Sequence, residues 1–305
     1  MPEISKLSSE TWMKAMRSGD FEKAWLFSDK VLASGINRDY QNLPRHFQSV
    51  WDGTPLNDKR VLIRCYHGLG DTIQFIRYAA LVKQIAREVT VWAQPSLIDL
   101  LKTVKGIDRL LPLHDGTPEV KFDVDVEIME LPHVFRTTLS TLPVTVPYIY
   151  VEPLKLTSTS LPKIGLVWQA GDWDQSRNIP FSLLRPLFDV PGLEIFILQS
   201  NAKVAGWKEG LGIHPGEFKL FDYANVIKGL DLLISVDSMP AHLAGALNVP
   251  VWLMLQKQAD WRWMENRSDS PWYPSMKIFR QEKQGEWETV MREVVGEISK
   301  LRYRQ

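Results

Sequence analysis

The sequence has 305 residues, which is long enough for two domains of ordinary size. Its 36 basic and 36 acidic side chains balance, so charge gives no case for nucleic acid or an anionic membrane surface as a partner. No apolar run approaches the roughly 18 residues of a membrane span, and the polar N-terminus is unlike a signal peptide.

Cys65 is the only cysteine, which excludes an intrachain disulfide and a cysteine-based zinc site. Cysteine usage of this kind is typical of a reducing cytoplasm.

The N-terminal residues 10–35 predict two short helices. The string G-D-F-x-x-A-W at residues 19–25 resembles half of a tetratricopeptide unit, but no second copy follows at a period of about 34 residues. The hairpin is either a vestigial repeat or a cap that packs on the next domain, and we favour packing.

A first alternating block begins with a buried strand at 60–66. It runs into the turn H-G-L-G-D and a long predicted helix at 71–87. The glycines Gly68 and Gly70 allow a tight turn and a close approach of a ligand to the backbone. Asp71 is either a helix cap or a functional carboxylate at the carboxyl end of a parallel strand. The match to a dinucleotide-binding fingerprint is G-x-G only, which is weak.

The remaining predicted elements alternate between strand and helix, which favours parallel, doubly wound sheets. In the first block they are strands at 88–93, 108–113, 122–128 and 146–150, and helices at 96–104 and 131–139. A Pro- and Ser/Thr-rich linker follows at 151–162. In the second block they are strands at 163–169, 193–199, 249–255 and 277–280, and helices at 181–188, 223–229 and 285–302.

The segment Leu230–Ala246 is the centre of the second block. A buried strand leads into Asp237-Ser238, a good helix-capping pair, and Pro240 is tolerated in the first turn of the helix that follows. The amide groups and the dipole at such a helix start suit a phosphate. His242 adds a donor on the first turn. On spacing alone, an ordinary strand–helix unit is an equal alternative.

Several of these segments together resemble one group of proteins. They are W-D-G-T-P-L (51–56), G-L-G-D-T-I-Q-F-I-R-Y (68–78), I-G-L-V-W (164–168), the Asp231–Ala246 string, P-V-W (250–252), D-W-R-W (260–263) and D-S-P-W-Y-P-S-M-K-I-F-R-Q (269–281). The chain resembles the bacterial glycosyltransferase domain associated with tetratricopeptide repeats, which is similar to the family 9 heptosyltransferases of the GT-B superfamily. The resemblance covers about residues 45–295.

The resemblance implies an α/β GT-B fold, in which two Rossmann-like, doubly wound domains face a cleft, with a short N-terminal helical hairpin. It implies four segments: the hairpin (1–45), an acceptor-side domain (46–155), a nucleotide-sugar domain (156–284), and a C-terminal helix (285–305) that crosses back to the first domain in such folds.

The resemblance also implies an inverting glycosyltransferase that uses a nucleotide-diphosphate sugar and needs no metal or other cofactor. The acceptor is a glycan, a lipid-linked core or a protein. The resemblance further implies a cytoplasmic location, and it leaves open whether the protein is peripheral to the inner membrane. Asp71 matches the catalytic base. The other implied site residues are His67, Gly68, Gly70 and Gln74 on the acceptor side, and Trp168, Arg177, Gln199, Asp237, Ser238, Met239, Ala241 and His242 for the nucleotide sugar.

Two alternatives remain open. A non-catalytic relative would bind a sugar nucleotide or a glycan, or serve a partner enzyme. A nicotinamide-dependent enzyme on two Rossmann units is disfavoured, because the glycine pattern is wrong for it.

Overall fold

A computed structural model describes residues 2–34, 44–45 and 48–301. Residues 35–43 of the predicted N-terminal segment, and Arg302 of the predicted last helix, lie outside this description. The chain divides into two compact units. Unit 1 is Met1–Tyr150 with Asp260–Asn266, and unit 2 is Val151–Ala259 with Arg267–Gln305. Over the described ranges, the helices are all too short or too polar to cross a membrane.

Unit 1 begins with two helices, α1 (Pro2–Ser18) and α2 (Phe21–Ser34). Helix α2 is bound to the rest of unit 1 through side chains. The indole N–H of Trp25 donates to the carbonyl of Thr137 at 2.6 Å, and Arg136 donates to both oxygens of Asp29. These contacts hold α2 against the segment that contains Arg136 and Thr137. The repeat-like origin of the N-terminal segment stays a hypothesis.

A four-stranded parallel sheet forms the centre of unit 1, in the order β3-β2-β1-β4. Its strands are β1 (Arg60–Arg64), β2 (Glu88–Ala93), β3 (Arg109–Pro112) and β4 (Val124–Glu127). Its helices are α3 (Leu69–Phe75), α4 (Ala79–Ile85), α5 (Ile98–Leu101) and α6 (Leu131–Val134). Val61, Leu62 and Ile63 of β1 are fully buried, as expected for a central strand covered on both faces.

The long predicted helix at 71–87 is wrong in one respect, because it is broken by a single tighter turn at Ile76–Tyr78. The guanidinium of Arg77 donates to the carbonyl of Gln74 at 2.8 Å, and the hydroxyl of Tyr148 donates to that of Ile73 at 2.9 Å. These side chains compete for carbonyls that would otherwise continue the helix. The predicted strand at 146–150 is also wrong, since this segment is attached through side chains such as Tyr148 instead of pairing with a strand.

A five-stranded parallel sheet forms unit 2, in the order β6-β5-β7-β8-β9. Its strands are β5 (Lys163–Val167), β6 (Glu194–Ile197), β7 (Leu232–Val236), β8 (Val251–Leu255) and β9 (Met276–Arg280). Its helices are α7 (Arg185–Phe188), α8 (Leu220–Lys228), α9 (Met239–Ala246) and α10 (Trp287–Leu301).

The C-terminal helix α10 packs within unit 2. Its apolar stripe, which includes Trp287, Val290 and Val294, joins the core formed by Leu166 and Ile234 of the sheet. The crossing of this helix to the first domain stays a prediction. The stretch Asp260–Asn266 belongs to unit 1, although it lies inside the segment predicted for the second domain.

Both sheets have a point where the strand order reverses. In unit 1 the chain goes from β1 outward to β2 and β3, and then returns to place β4 on the other side of β1. In unit 2 the chain goes from β5 to β6, and then places β7 on the other side of β5. Open α/β sheets bind ligands outside the carboxyl ends of the strands at such points.

Candidate functional site

The turn after β1 is organised by Glu127, the last residue of β4. One carboxylate oxygen accepts the amide N–H of Tyr66 at 3.2 Å and lies 2.9 Å from Nδ1 of His67, and the other accepts the amide N–H of Met129. Burial lowers the pKa of His67, but the hydrogen bond and the charge of Glu127 outweigh burial, so the pKa is raised from its usual value. Glu127 therefore fixes this turn and favours a charged imidazole.

Asp71 is in the first turn of α3, which begins at Leu69 with Gly68 as its cap. Its Oδ2 accepts the amide N–H of the cap residue Gly68 at 2.9 Å, which is the carboxylate contact of a capping box. Its Oδ1 accepts a hydrogen bond from Nη2 of Arg262. A quarter of the Asp71 side-chain surface remains exposed. Each oxygen keeps a second lone pair, so the carboxylate can still receive a proton.

Arg262 reaches Asp71 from the segment Asp260–Asn266, which sequence reasoning did not connect with the site. Its side chain is 8% exposed, and Nη1 donates to Asp260 at 2.8 Å. The string D-W-R-W was recognised only as part of a resemblance. Local spacing carries no signal that would place Arg262 beside a carboxylate 191 positions earlier.

The other predicted acceptor-side residues are also in unit 1. Gly70 lies inside α3, and Gln74 lies further along α3 with no exposed surface. Gln94 follows β2 and was not among the predicted residues. Its amide N–H donates to the carbonyl of His67 at 2.6 Å, and its side-chain oxygen accepts a hydrogen bond from the hydroxyl of Thr72 at 3.0 Å. The turn is therefore held from β2 as well as from β4.

In unit 2, Arg177 is in the turn that follows β5, and its side chain reaches the turn that follows β7. Its Nη1 donates to the carbonyl of Asp237 at 3.3 Å and lies 3.7 Å from that residue's carboxylate, while Nε is 3.5 Å from Asp174. The Asp237 side chain is buried. Burial raises the pKa of Asp174, but hydrogen bonds from Ser176 and the charge of Arg177 outweigh burial and lower it. The structure thus brings together Arg177 and Asp237, two of the predicted residues.

Helix α9 begins next to this pair, with Ser238 as its cap residue. The Ser238 hydroxyl donates back to the carbonyl of Val236 at 3.1 Å instead of capping a helical N–H, which corrects the expected capping role. Pro240 has no N–H, and the N–H of Ala241 donates to the carbonyl of Ser238 at 3.1 Å. Of the first three N–H groups of this helix, the one at Pro240 is thus missing and the one at Ala241 is used within the chain.

His242 is buried inside unit 2. Its Nδ1 is 3.0 Å from the hydroxyl of Tyr273, and its Nε2 is 3.9 Å from the carboxylate of Asp237. The ring lies between Asp237 and the loop that carries Tyr273. Its predicted role as a donor to a diphosphate stays a prediction.

Two residues predicted for the nucleotide pocket make contacts inside unit 2. Trp168 has no exposed surface, donates its indole N–H to the carbonyl of Ala205 at 2.9 Å, and packs against Phe181. The Gln199 side chain accepts the backbone N–H groups of Trp168 and Gln169 at 3.0 and 2.8 Å. Gln199 therefore joins the ends of β5 and β6, and Trp168 lies in the core. Their place in a nucleotide pocket stays a prediction.

No group of three His, Cys, Asp or Glu side chains within the described part of the chain is arranged to hold a metal ion. Each reversal point has an arginine–aspartate contact: Arg262 with Asp71 in unit 1, and Arg177 with Asp237 in unit 2.

Comparison with known proteins supports the fold. No protein-family model matches the chain. Among curated proteins, the chain is similar to Protein FlbA of Caulobacter vibrioides, with 25% identity over 285 residues. The match covers 79% of this chain and 46% of FlbA, so the chain spans less than half the length of that relative.

Three solved structures share its architecture. A family 9 glycosyl transferase from Veillonella parvula has a TM-score of 0.60 at 13% identity, covering 83% of this chain and 99% of its own. The E. coli heptosyltransferase WaaC with ADP has a TM-score of 0.55 at 12% identity, covering 79% and 99%. The E. coli ADP-heptose lps heptosyltransferase II has a TM-score of 0.53 at 14% identity, covering 80% and 99%.

The chain therefore has the α/β fold of the family 9 glycosyltransferases, with two parallel sheets and alternating helices. At these identities the likeness shows the fold. None of the matches supports an association with tetratricopeptide repeats, and that part of the resemblance stays a hypothesis.

Proposed function

We propose that this protein is an inverting glycosyltransferase that moves a sugar from a nucleotide-diphosphate sugar to an acceptor hydroxyl, in the synthesis of a cell-surface glycan or glycoconjugate. The observation that carries the proposal is the partly exposed carboxylate of Asp71, at the reversal point of the first sheet, in a fold shared with known glycosyltransferases. Fold alone would not define an activity, and the carboxylate supplies the chemistry.

In the proposed reaction, Asp71 takes the proton of the acceptor hydroxyl as that oxygen attacks the anomeric carbon of the sugar. The bond from that carbon to the diphosphate breaks on the opposite face, and its electron pair leaves with the nucleoside diphosphate. One displacement inverts the anomeric configuration. A positioned general base of this kind contributes about 10²- to 10⁴-fold to a rate.

Unit 2 is assigned the nucleotide. Arg177 and the amide of Met239 would hold the departing diphosphate, which carries the charge that develops in the transition state. Arg177 now faces two carboxylates, so a phosphate would replace Asp174 or Asp237 as its partner. His242 would act through Asp237 by holding its carboxylate in place. No metal ion has a role in this scheme.

Unit 1 is assigned the acceptor, with His67 and the Gly68–Gly70 turn around Asp71. A glycan, a lipid-linked core and a protein hydroxyl all remain candidate acceptors, because each presents the same reacting group. The adenine nucleotide is the first donor to test, since WaaC is described with ADP.

The test is a binding panel followed by a transfer assay. Isothermal calorimetry with ADP, UDP, GDP and NAD should show that one nucleoside diphosphate binds and that NAD does not. The corresponding nucleotide sugars, with alkyl glycosides as acceptors, should then yield product with inverted anomeric configuration by proton NMR. Binding of NAD without binding of any nucleoside diphosphate would reject the proposal.

The contacts of Asp71 also favour a second candidate, a non-catalytic sugar-nucleotide binding protein. Both carboxylate oxygens of Asp71 already accept hydrogen bonds from the protein. Such a protein would bind one nucleoside diphosphate in calorimetry and release none from any nucleotide sugar, so the same panel separates the two candidates.

A further inference from the structure

The guanidinium of Arg262 is held within unit 1 by two carboxylates. Its Nη2 donates to Asp71 and its Nη1 to Asp260, and only 8% of its side chain is exposed. A buried cation needs charged partners, and breaking such a pair leaves an uncompensated charge. The planar fork of arginine donors gives these contacts fixed directions, which an ammonium group would not give.

The plane of the guanidinium is fixed by its neighbours. Its central carbon lies 5.4 Å from the ring centre of Phe75 and 5.0 Å from that of Trp261, both within cation–π range. The sulfur of Met129 lies 3.6 Å from Nη2. Because the group is buried and directed at carboxylates, it acts on Asp71 and not on a substrate.

The segment that carries Arg262 is itself attached to α1. The amide of Glu265 donates to the carbonyl of Arg17 at 2.9 Å, and the rings of Trp12 and Trp261 meet edge to face at 5.6 Å. Trp263 in the same segment has no exposed surface. The N-terminal helix thus supports the segment from which Arg262 reaches Asp71.

We propose that Arg262 is a positioning residue for Asp71, an inference that rests on the proposed function. A carboxylate that rotates freely presents its proton-accepting lone pairs in many directions. With the amide of Gly68 on Oδ2 and Arg262 on Oδ1, Asp71 keeps one orientation, and each oxygen keeps one lone pair for the acceptor proton. A catalytic group that is already oriented reacts faster, because no rotational freedom has to be lost in the transition state.

The test compares Arg262→Gln and Arg262→Lys with a matched control, Arg267→Gln. Arg267 forms an arginine–aspartate pair of the same kind with Asp269, at 3.0 and 2.7 Å. Arg262→Gln should lower kcat by about 10- to 100-fold with unchanged calorimetric affinity for the nucleoside diphosphate that the panel identifies. Arg262→Lys keeps the charge but loses the planar fork, so its kcat should lie between those of wild type and Arg262→Gln. Arg267→Gln should have the kcat of wild type.

A double variant separates positioning from a merely structural effect. If Arg262 acts only through Asp71, the variant Asp71→Asn with Arg262→Gln should be no slower than Asp71→Asn alone. The inference about Arg262 would be overturned by an unchanged kcat in both Arg262 variants. It would also be overturned by a double variant whose kcat is well below that of Asp71→Asn. Either result would leave the proposed function standing. Should Arg262→Gln fail to fold, as thermal unfolding will show, Arg262→Lys decides by the same criteria. A wild-type protein that transfers no sugar from any donor would overturn the proposed function and this inference together.

Discussion

Arg177 is the side chain whose loss should most weaken nucleotide binding. It is the cation at the reversal point of the second sheet, within 3.7 Å of Asp237 and 3.5 Å of Asp174. A hydrogen bond to a charged group is worth about 1.5–3 kcal/mol, so Arg177→Gln should weaken nucleoside diphosphate binding about 10- to 100-fold. Calorimetry measures this directly. The control is Arg185→Gln, an exposed arginine on α7 of the same unit, and equal affinities for the two variants would contradict the assignment.

His67 should give the protein a pH-dependent stability near neutrality. Because its pKa is raised in the folded state, it contributes stability that is complete below the unfolded value of about 6.5 and is lost as the pH rises through the folded value. The free energy of unfolding of wild type should therefore fall between pH 6 and pH 8 relative to that of His67→Gln. Urea unfolding at both pH values measures the difference.

The comparison with His67→Gln matters because His133 also titrates. Burial lowers the pKa of His133, which gives a pH dependence of opposite sign, but this contribution is the same in both proteins and cancels. Parallel pH curves for wild type and His67→Gln would show that the contact with Glu127 does not stabilise the charged imidazole.

At the scale of an element, the position of α9 depends on Gly245. A Cβ there would lie 2.4 Å from the ring of Tyr273, which is fully buried and holds His242 at 3.0 Å. Gly245→Ala should therefore lower the free energy of unfolding by about 1–3 kcal/mol, as overpacking does, and weaken nucleotide binding through the displaced tyrosine. Urea unfolding and calorimetry measure the two effects.

The matched control for this variant is Gly296→Ala. Gly296 is an exposed glycine within α10, and a Cβ there would meet nothing within 4 Å. The change should raise stability by up to about 1 kcal/mol, because alanine is the better helix former. If both variants change stability in the same direction, the close approach of Gly245 to Tyr273 is not what positions α9.

The elements were predictable where pattern and packing agree. Buried apolar runs identified β1 and β7, and the alternation of strands with helices identified the parallel sheets. The helix at 71–87 was predicted as continuous because its break depends on Tyr148, which is distant in sequence. Asp71, Arg177 and Asp237 are candidates from the sequence because they follow predicted strands, and their roles stay predictions. The contact of Arg262 with Asp71 and the burial of Trp168 were not predicted, because long-range packing decides both and no local spacing reports it.

At the scale of the whole molecule, unit 1 is built from two separate stretches of chain. The stretch Asp260–Asn266 supplies Arg262 to a site whose other residues come from the first half of the sequence. The four-segment division that the resemblance implies has a second domain continuous from 156 to 284, and it stays a prediction. The relative FlbA is more than twice as long as the region matched here, and its whole activity is not carried over to this chain.

The central claim is that Asp71 removes a proton while unit 2 holds the nucleotide. The most direct measurement compares wild type and Asp71→Asn in two assays on the same preparations: sugar transfer by product formation and nucleoside diphosphate binding by calorimetry. The account predicts that kcat falls by about 10²- to 10⁴-fold while the nucleotide affinity stays unchanged. Transfer by Asp71→Asn at the wild-type rate would contradict it and leave Asp71 with a structural role in the turn before α3.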